Sequence, residues 1–320
     1  MSEVSKCRCL LGFKRLEVSK KCPRSVQSVQ VPMFIEFYED STIEPVKTPA
    51  AGRNAAALDD AAKKTGPGSW QSMPSYAGGK AGAGVYQQII NLMPPHGTYF
   101  EAFLGAGAIM RFKRPAAFNV GIEIDRSTCQ LWNRCDIPNF ELHRGDAVSY
   151  LRELAAELRK AQKVRPEFGR DYLVYADPPY LMEVRSDKKP IYRHEFGSED
   201  QHRDLLAVLC DLPCLVMLSG YENDLYNREL HNWRKASFTG ISRGGPRTET
   251  VWMNFSTPAE LHDYRYLGRN KRERENIKRQ KQRWIAKLER MPDQKRYAML
   301  SAIEDYKRSA AGNSAGESSS

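Results

Sequence analysis

The sequence predicts an α/β fold: a mostly parallel sheet covered by helices, with a late antiparallel strand pair and basic helices after it. Three observations carry this. Strand and helix signals alternate from Tyr76 to Phe255. The runs Leu173–Ala176 and Pro213–Ser219 are continuously apolar, as strands covered on both faces are. The basic residues then concentrate after the last strand signal.

In chain order, residues 1–72 read as a poorly ordered extension. Pro45, Pro49, the run Ala50–Ala57 and Gly66-Pro67-Gly68-Ser69 carry little periodicity, and Val29–Phe37 is a short strand signal. The α/β domain is expected over 73–262. Val85–Met93 reads as a helix with an apolar face. Thr98–Phe103 reads as a strand feeding a glycine turn and a helix over Ala106–Phe112. Asn119–Ile124 is a strand, and a helix follows Arg126. Asn139–His143 is a short strand, and Asp146 caps a helix reaching about Ala161. Leu173–Ala176 is a strand, Glu199–Cys210 a helix and Pro213–Ser219 a strand. Trp233–Phe238 and Thr250–Phe255 are close enough to pair antiparallel.

A basic helical segment is expected over 263–308. Ile277, Trp284, Leu288 and Met291 fall seven, four and three residues apart, an apolar stripe on an otherwise charged helix. That stripe is expected to pack on the core. Met291-Pro292 ends the helix, Asp293–Arg308 forms a last short one, and 309–320 is expected to be a disordered tail.

Composition excludes several classes. The chain has 320 residues, 28% of them charged, and a formal charge of +10. Between Arg265 and Arg290 eleven basic residues face three acidic ones, so one segment holds an excess of eight. The remainder is nearly neutral, which points to a neutral core with a basic attachment and a polyanionic partner. The most apolar stretch, Leu205–Leu218, is broken by Asp211 and Pro213 and is too short to span a bilayer. Leu10–Phe13 runs straight into Lys14 and Arg15, which is not a secretory signal. Seven cysteines include no CxxC pair and six histidines are scattered, so no metal site and a reducing cytoplasm are expected.

Four local patterns carry chemistry. They are Tyr76-Ala77-Gly78-Gly79-Lys80, Phe103-Leu104-Gly105-Ala106-Gly107, Glu123-Ile124-Asp125 and Asp177-Pro178-Pro179-Tyr180. A strand feeding a glycine turn into a helix lets backbone approach a ligand closely. An acid at the end of the next strand, Asp125, can accept hydrogen bonds from ribose hydroxyls. All these residues fall near the carboxyl ends of strands, where open α/β sheets bind ligands. A nucleoside-containing cofactor is implied.

From Ser75 to Phe255 the set resembles the Dam-like class of DNA adenine methyltransferases, in the compact form found in phages and prophages. Leu218-Ser219-Gly220-Tyr221 and Arg247-Thr248-Glu249-Thr250-Val251-Trp252-Met253-Asn254 resemble that class's later strands. The resemblance implies a Rossmann-like methyltransferase fold and S-adenosyl-L-methionine as cofactor. It implies site-specific transfer, without metal, to the N6 amine of an adenine flipped out of DNA. Tyr76 and Lys80 would contact the cofactor, and Glu101, Phe103, Gly105 and Gly107 would cradle it. Asp125 would hold its ribose and Asp146 its adenine edge. Asp177, Pro178, Pro179 and Tyr180 would form the catalytic loop.

The chain departs from the class in three places. Tyr76 stands where tryptophan is frequent, and Ala102 where proline is usual. Only seventy residues separate Gly107 from Asp177, and core elements fill them, so no separate target-recognition region precedes the catalytic loop. DNA contacts are therefore expected elsewhere: Arg185, Lys188, Lys189 and Arg193 after the catalytic loop, Arg243 and Arg247 around Gly244-Gly245-Pro246, and Arg272, Lys278 and Arg279 on the basic helix. Two alternatives stand beside this reading. One is an RNA base N-methyltransferase, since Asp-Pro-Pro-Tyr also serves guanine amines. The other is an inactive nucleic-acid-binding scaffold, against which intact Gly105, Gly107, Asp125, Asp177 and Tyr180 speak.

Overall fold

A computed structural model describes residues 79–81, 84–184, 194–242 and 245–316. The N-terminal extension with Val29–Phe37 lies outside the described residues, as do Tyr76, Arg185, Lys188, Lys189, Arg193 and Arg243.

Among the described residues one seven-stranded sheet has the order β3-β2-β1-β4-β5-β7-β6. Its strands are β1 (Thr98–Ala102), β2 (Phe118–Glu123), β3 (Phe140–Arg144), β4 (Tyr172–Ala176), β5 (Leu215–Gly220), β6 (Arg234–Ser242) and β7 (Gly245–Met253). The first five pair in parallel, while β7 runs antiparallel to both β5 and β6. The α/β class and the late antiparallel pair are thus as the sequence predicts. The strand order reverses between β1 and β4, a topological switch point that opens a crevice at the carboxyl ends of those strands.

The helices are α1 (Val85–Ile90), α2 (Ala108–Phe112), α3 (Arg126–Trp132), α4 (Ala147–Val164), α5 (Glu199–Asp211), α6 (Asp224–Glu229), α7 (Lys271–Glu289) and α8 (Asp293–Gly316). Helix starts follow the capping residues. Asp125, Asp146, Ser198, Asn223 and Asn270 each accept a backbone N–H of the first turn. Helix α6 has no counterpart in the sequence reading because it is short and carries only two buried apolar residues. The interval between Gly107 and Asp177 holds α2, β2, α3, β3, α4 and β4, so it is core, as its composition suggests.

Alternation along the central strands divides the core. Phe100, Ala102, Val120, Ile122, Val174, Ala176, Val216 and Leu218 pack against Leu151, Leu154 and Leu158 of α4 and Leu205 and Leu209 of α5. Tyr99, Glu101 and Tyr175 occupy the intervening positions and are also buried. The late strands are longer than the sequence predicts: nine pairs run from Arg234↔Met253 to Ser242↔Gly245. Pro246, expected in a turn, lies within β7. It can do so because β5 pairs β7 only from Thr250 to Met253, so Pro246 has no ladder partner on that side.

Past β7 the chain returns to the sheet. His262 stacks on His96 with ring centroids 3.8 Å apart, and Asp263 accepts the backbone N–H of Arg114 at 2.9 Å. Burial pushes both imidazoles toward the neutral form, His262 down to about 3.

The chain divides into two compact units, one ending at Asp263 and the other beginning at Tyr264. In the second unit α7 has no buried residue, and Trp284 is 63% exposed. The stripe is one side chain wide and is interrupted at Lys281. Helix α8 runs to Gly316 rather than stopping at Arg308, since Ala310 and Ala311 are strong helix formers. Among the described residues no helix is long and apolar enough to cross a membrane, and no group of three or more His, Cys, Asp or Glu is placed to hold a metal.

Candidate active site

A cavity of about 480 Å³ lies where the sheet order reverses. Its walls come from the loops after β1, β2, β3 and β4, together with Gly79, Lys80 and the segment His194–Phe196. That volume suits a nucleoside-sized ligand.

The loop after β1 is bent by three left-handed residues, Phe103 (φ 59°), Gly105 (φ 49°) and Gly107 (φ 54°). Such a φ is costly for a phenylalanine, and strained backbone of this kind gathers at ligand sites. Phe103 packs edge-on against Phe196 at 5.2 Å. Buried Trp132 holds the turn from beneath, its Nε1 donating to the Gly105 carbonyl at 2.7 Å. The Glu123 carboxylate clamps two loops, accepting the Gly105 N–H at 2.7 Å and the Asp125 N–H at 2.8 Å. Burial raises its pKa against those donors.

Asp125 and Asp146 both line the cavity and both cap helices. Oδ2 of Asp125 accepts from Thr128 N at 2.8 Å, Thr128 Oγ1 at 2.9 Å and Ser127 Oγ. Its Oδ1 lies 3.9 Å from His194 Nε2. Asp146 Oδ2 accepts from Ser149 N and Oγ, each at 2.8 Å.

Glu101 enters the cavity from β1, from the sheet face opposite Phe100 and Ala102. It is buried, and Tyr99 OH donates to its Oε2 at 2.9 Å. Desolvation pushes its pKa up to about 8, so the carboxyl is protonated at neutral pH.

The Asp-Pro-Pro-Tyr loop leaves β4 and meets a buried charge cluster. Lys80 Nζ donates to Asp177 Oδ1 at 2.8 Å and lies 3.1 Å from Glu249 Oε1. It also hydrogen-bonds Tyr180 OH, which donates to Glu249 Oε1 at 2.8 Å. Ser219 Oγ donates to Asp177 Oδ1 at 2.9 Å and is itself 2.9 Å from Tyr175 OH. Burial lowers the pKa of Lys80, but Asp177 and Glu249 together outweigh it and hold the ammonium charged. Burial raises that of Glu249, and Lys80 opposes it. The Tyr180 ring packs on Tyr221 at 4.4 Å, and the Arg247 guanidinium lies 5.4 Å from the Tyr221 ring.

Of the residues singled out by sequence, Lys80, Glu101, Phe103, Gly105, Gly107, Asp125, Asp146 and Asp177–Tyr180 all line this cavity. Lys80, expected beside a cofactor, has the catalytic loop as its hydrogen-bond partner. Arg247 sits near the cavity residue Tyr180 through Tyr221, whereas Arg272, Lys278 and Arg279 are on α7 in the other unit. Sequence reasoning quotes Ser219 and Glu249 within motifs but gives them no site role, and gives none to Tyr175 or to Glu123 as a clamp. Glu249 had a signal: it is an acid alternating with Val251 and Met253 in a strand whose neighbours are buried.

No family model matches the chain, and no curated protein sequence matches it. Among solved structures it resembles human methyltransferase-like protein 13 in complex with SAH, at 13% identity and a TM-score of 0.36, covering 61% of this chain and 85% of that one. It also resembles spermidine synthase in complex with the transition-state analogue AdoDATO, at 10% identity and a TM-score of 0.37, covering 61% and 72%. A SAM-dependent methyltransferase from Agrobacterium tumefaciens aligns at 9% identity and a TM-score of 0.33, covering 52% and 59%. These scores are low, and the functional reading rests on the chain's own residues.

Proposed function

We propose that this chain is a site-specific DNA adenine methyltransferase that transfers a methyl group from S-adenosyl-L-methionine to the N6 amine of a flipped-out adenine. The observation that carries the reading is the state of Asp177. Lys80 and Ser219 both bind Oδ1 and fix the carboxylate, which leaves Oδ2 without a hydrogen bond among the described residues, on a residue that lines the cavity.

The residues present fit the cofactor. The left-handed glycine turn brings backbone to the cavity, Asp125 and Asp146 offer acceptors at its edge, and Glu101 supplies a buried carboxyl inside it. When bound, S-adenosyl-L-methionine supplies an electrophilic methyl on a sulfonium centre. Adenine's exocyclic amine is a poor nucleophile because its lone pair is delocalised into the ring. Asp177 Oδ2 and the Pro178 carbonyl can each accept one of its N–H bonds, which favours a pyramidal nitrogen with an available lone pair. Pro178 and Pro179 restrict the backbone that aims that carbonyl. Tyr180, its hydroxyl pinned by Lys80 and Glu249, offers a fixed face for the base. Positioning of amine and methyl donor then supplies much of the rate.

The direct test is incubation with S-adenosylmethionine and unmethylated plasmid, followed by single-molecule mapping of modified bases. N6-methyladenine at a short recurring sequence is expected. Unmodified DNA, or a methyl group found instead on RNA guanine, overturns the reading.

Glu101 makes a second prediction. Its carboxyl is protonated below about 8 in the free site, and a cationic cofactor in the same cavity favours the ionised form. Binding at pH 7 should therefore release close to one proton, and affinity should rise with pH until about 8. Calorimetry in two buffers of different ionisation enthalpy counts the proton, and Glu101→Gln should abolish the release. Zero release by the unsubstituted protein counts against a cation beside Glu101.

A further inference from the structure

We infer that Arg272, Arg279, Arg283 and Arg290 of the basic helix form a track for the phosphate backbone of nucleic acid. The steps between them are seven, four and seven residues. At 100° per residue a seven-residue step turns back by about 20° and a four-residue step advances by about 40°, so the four side chains share one line along the helix. Arg290 belongs to it because, as the C-cap of α7, it keeps helical backbone angles (φ −82°, ψ −8°). Eighteen residues at about 1.5 Å each place the outer arginines about 27 Å apart, the axial rise of about eight base steps of a DNA duplex.

The rest of the unit leaves this line open. The preceding segment folds onto another face of α7: Lys281 Nζ donates to the Tyr264 carbonyl at 2.7 Å and Arg274 to the Gly268 carbonyl at 3.4 Å. By helical azimuth that face lies roughly opposite the arginine row. All four arginines are exposed, and none has a carboxylate partner among the described residues. Glu273 is turned to Arg269, its ion-pair partner at 3.2 Å. A row of unpaired guanidiniums, each able to fork onto phosphate oxygens, is complementary to a polyphosphate.

The azimuths favour nucleic acid over an anionic membrane. An interfacial helix buries its apolar stripe with basic residues flanking it. Here the row lies about 120° from Trp284, so seating the stripe in a bilayer would turn the arginines away from the headgroups. The row also excludes Lys278, named by sequence as a DNA contact, which lies about 120° to its other side.

This inference deepens the reading of a DNA substrate, but it concerns binding and not transfer, and the test separates the two. The full chain is titrated with a fluorescent duplex of about 24 base pairs over a range of salt. Two variants of equal charge are compared, Arg279→Gln/Arg283→Gln on the row and Lys271→Gln/Lys278→Gln off it. The row variant should reduce the slope of log affinity against log salt by nearly 2, at about 0.9 per phosphate contact, and weaken binding tenfold or more. The control should change the slope by less than about 0.5. Equal effects of the two pairs overturn the track in favour of a diffuse field. So does an unchanged row variant, or a loss confined to binding of phosphatidylserine vesicles. A chain that methylates no DNA yet shows the row effect would sink the proposed activity and leave the track standing.

Discussion

Asp177→Asn is expected to lower methyl transfer by about 10²–10³-fold while S-adenosylmethionine stays bound within about threefold. The substitution keeps size and shape, and the remaining side-chain oxygen can still accept from Lys80 and Ser219, which both bind Oδ1. The position of Oδ2 then becomes an NH₂ group. It would point a donor at the amine N–H that the carboxylate is proposed to accept. Loss of a charge-assisted acceptor at a reacting group corresponds to about 3–4 kcal/mol of transition-state stabilisation. Radiolabelled methyl transfer measures the first effect and calorimetry the second. Turnover within about fivefold of the unsubstituted enzyme would remove Asp177 from the chemistry. Loss of cofactor affinity in parallel would instead make it a binding residue.

The second large effect is expected from Gly107→Ala. A Cβ there would stand 2.2 Å from Trp132 Cζ2 and 3.0 Å from Leu104 Cδ1, at a φ of +54°. The left-handed conformation costs about 1–2 kcal/mol for a residue with a Cβ, and overpacking a rigid core about 1–3 kcal/mol more. Trp132 cannot yield cheaply, because it is buried and its Nε1 holds the Gly105 carbonyl. A loss of about 2–5 kcal/mol in unfolding free energy is expected, with cofactor affinity reduced more than a hundredfold in the protein that folds. Urea titration and calorimetry read the two. Native stability together with native affinity would show that the turn does not approach a ligand as described.

Much of the architecture was legible because its signals are local. The apolar runs of β4 and β5 identified buried parallel strands, and Asp125 and Asp146 marked helix starts as capping residues do. The hairpin β6–β7 was read too short because its outer half carries no continuous apolar pattern. Its pairing comes from backbone ladder bonds, and these extend past the point where β5 ends.

The sequence by itself determined which chemistry-bearing groups the chain carries and in what order along the sheet. The glycine turn, the acid after β2 and the Asp-Pro-Pro-Tyr loop are each encoded within a few neighbouring residues. Only the tertiary structure decided their partners. Lys80 meets Asp177 across 97 residues, and Tyr180 meets Glu249 across 69. Such pairs depend on strand order and register, which bring the ends of β4 and β5 beside the middle of β7, and no local pattern specifies which distant charge will arrive there. The physical reason is burial. Once these groups share a site with little water, each is held by the others, and the ionisation of Lys80 and Glu249 becomes a property of the cluster and not of either residue type.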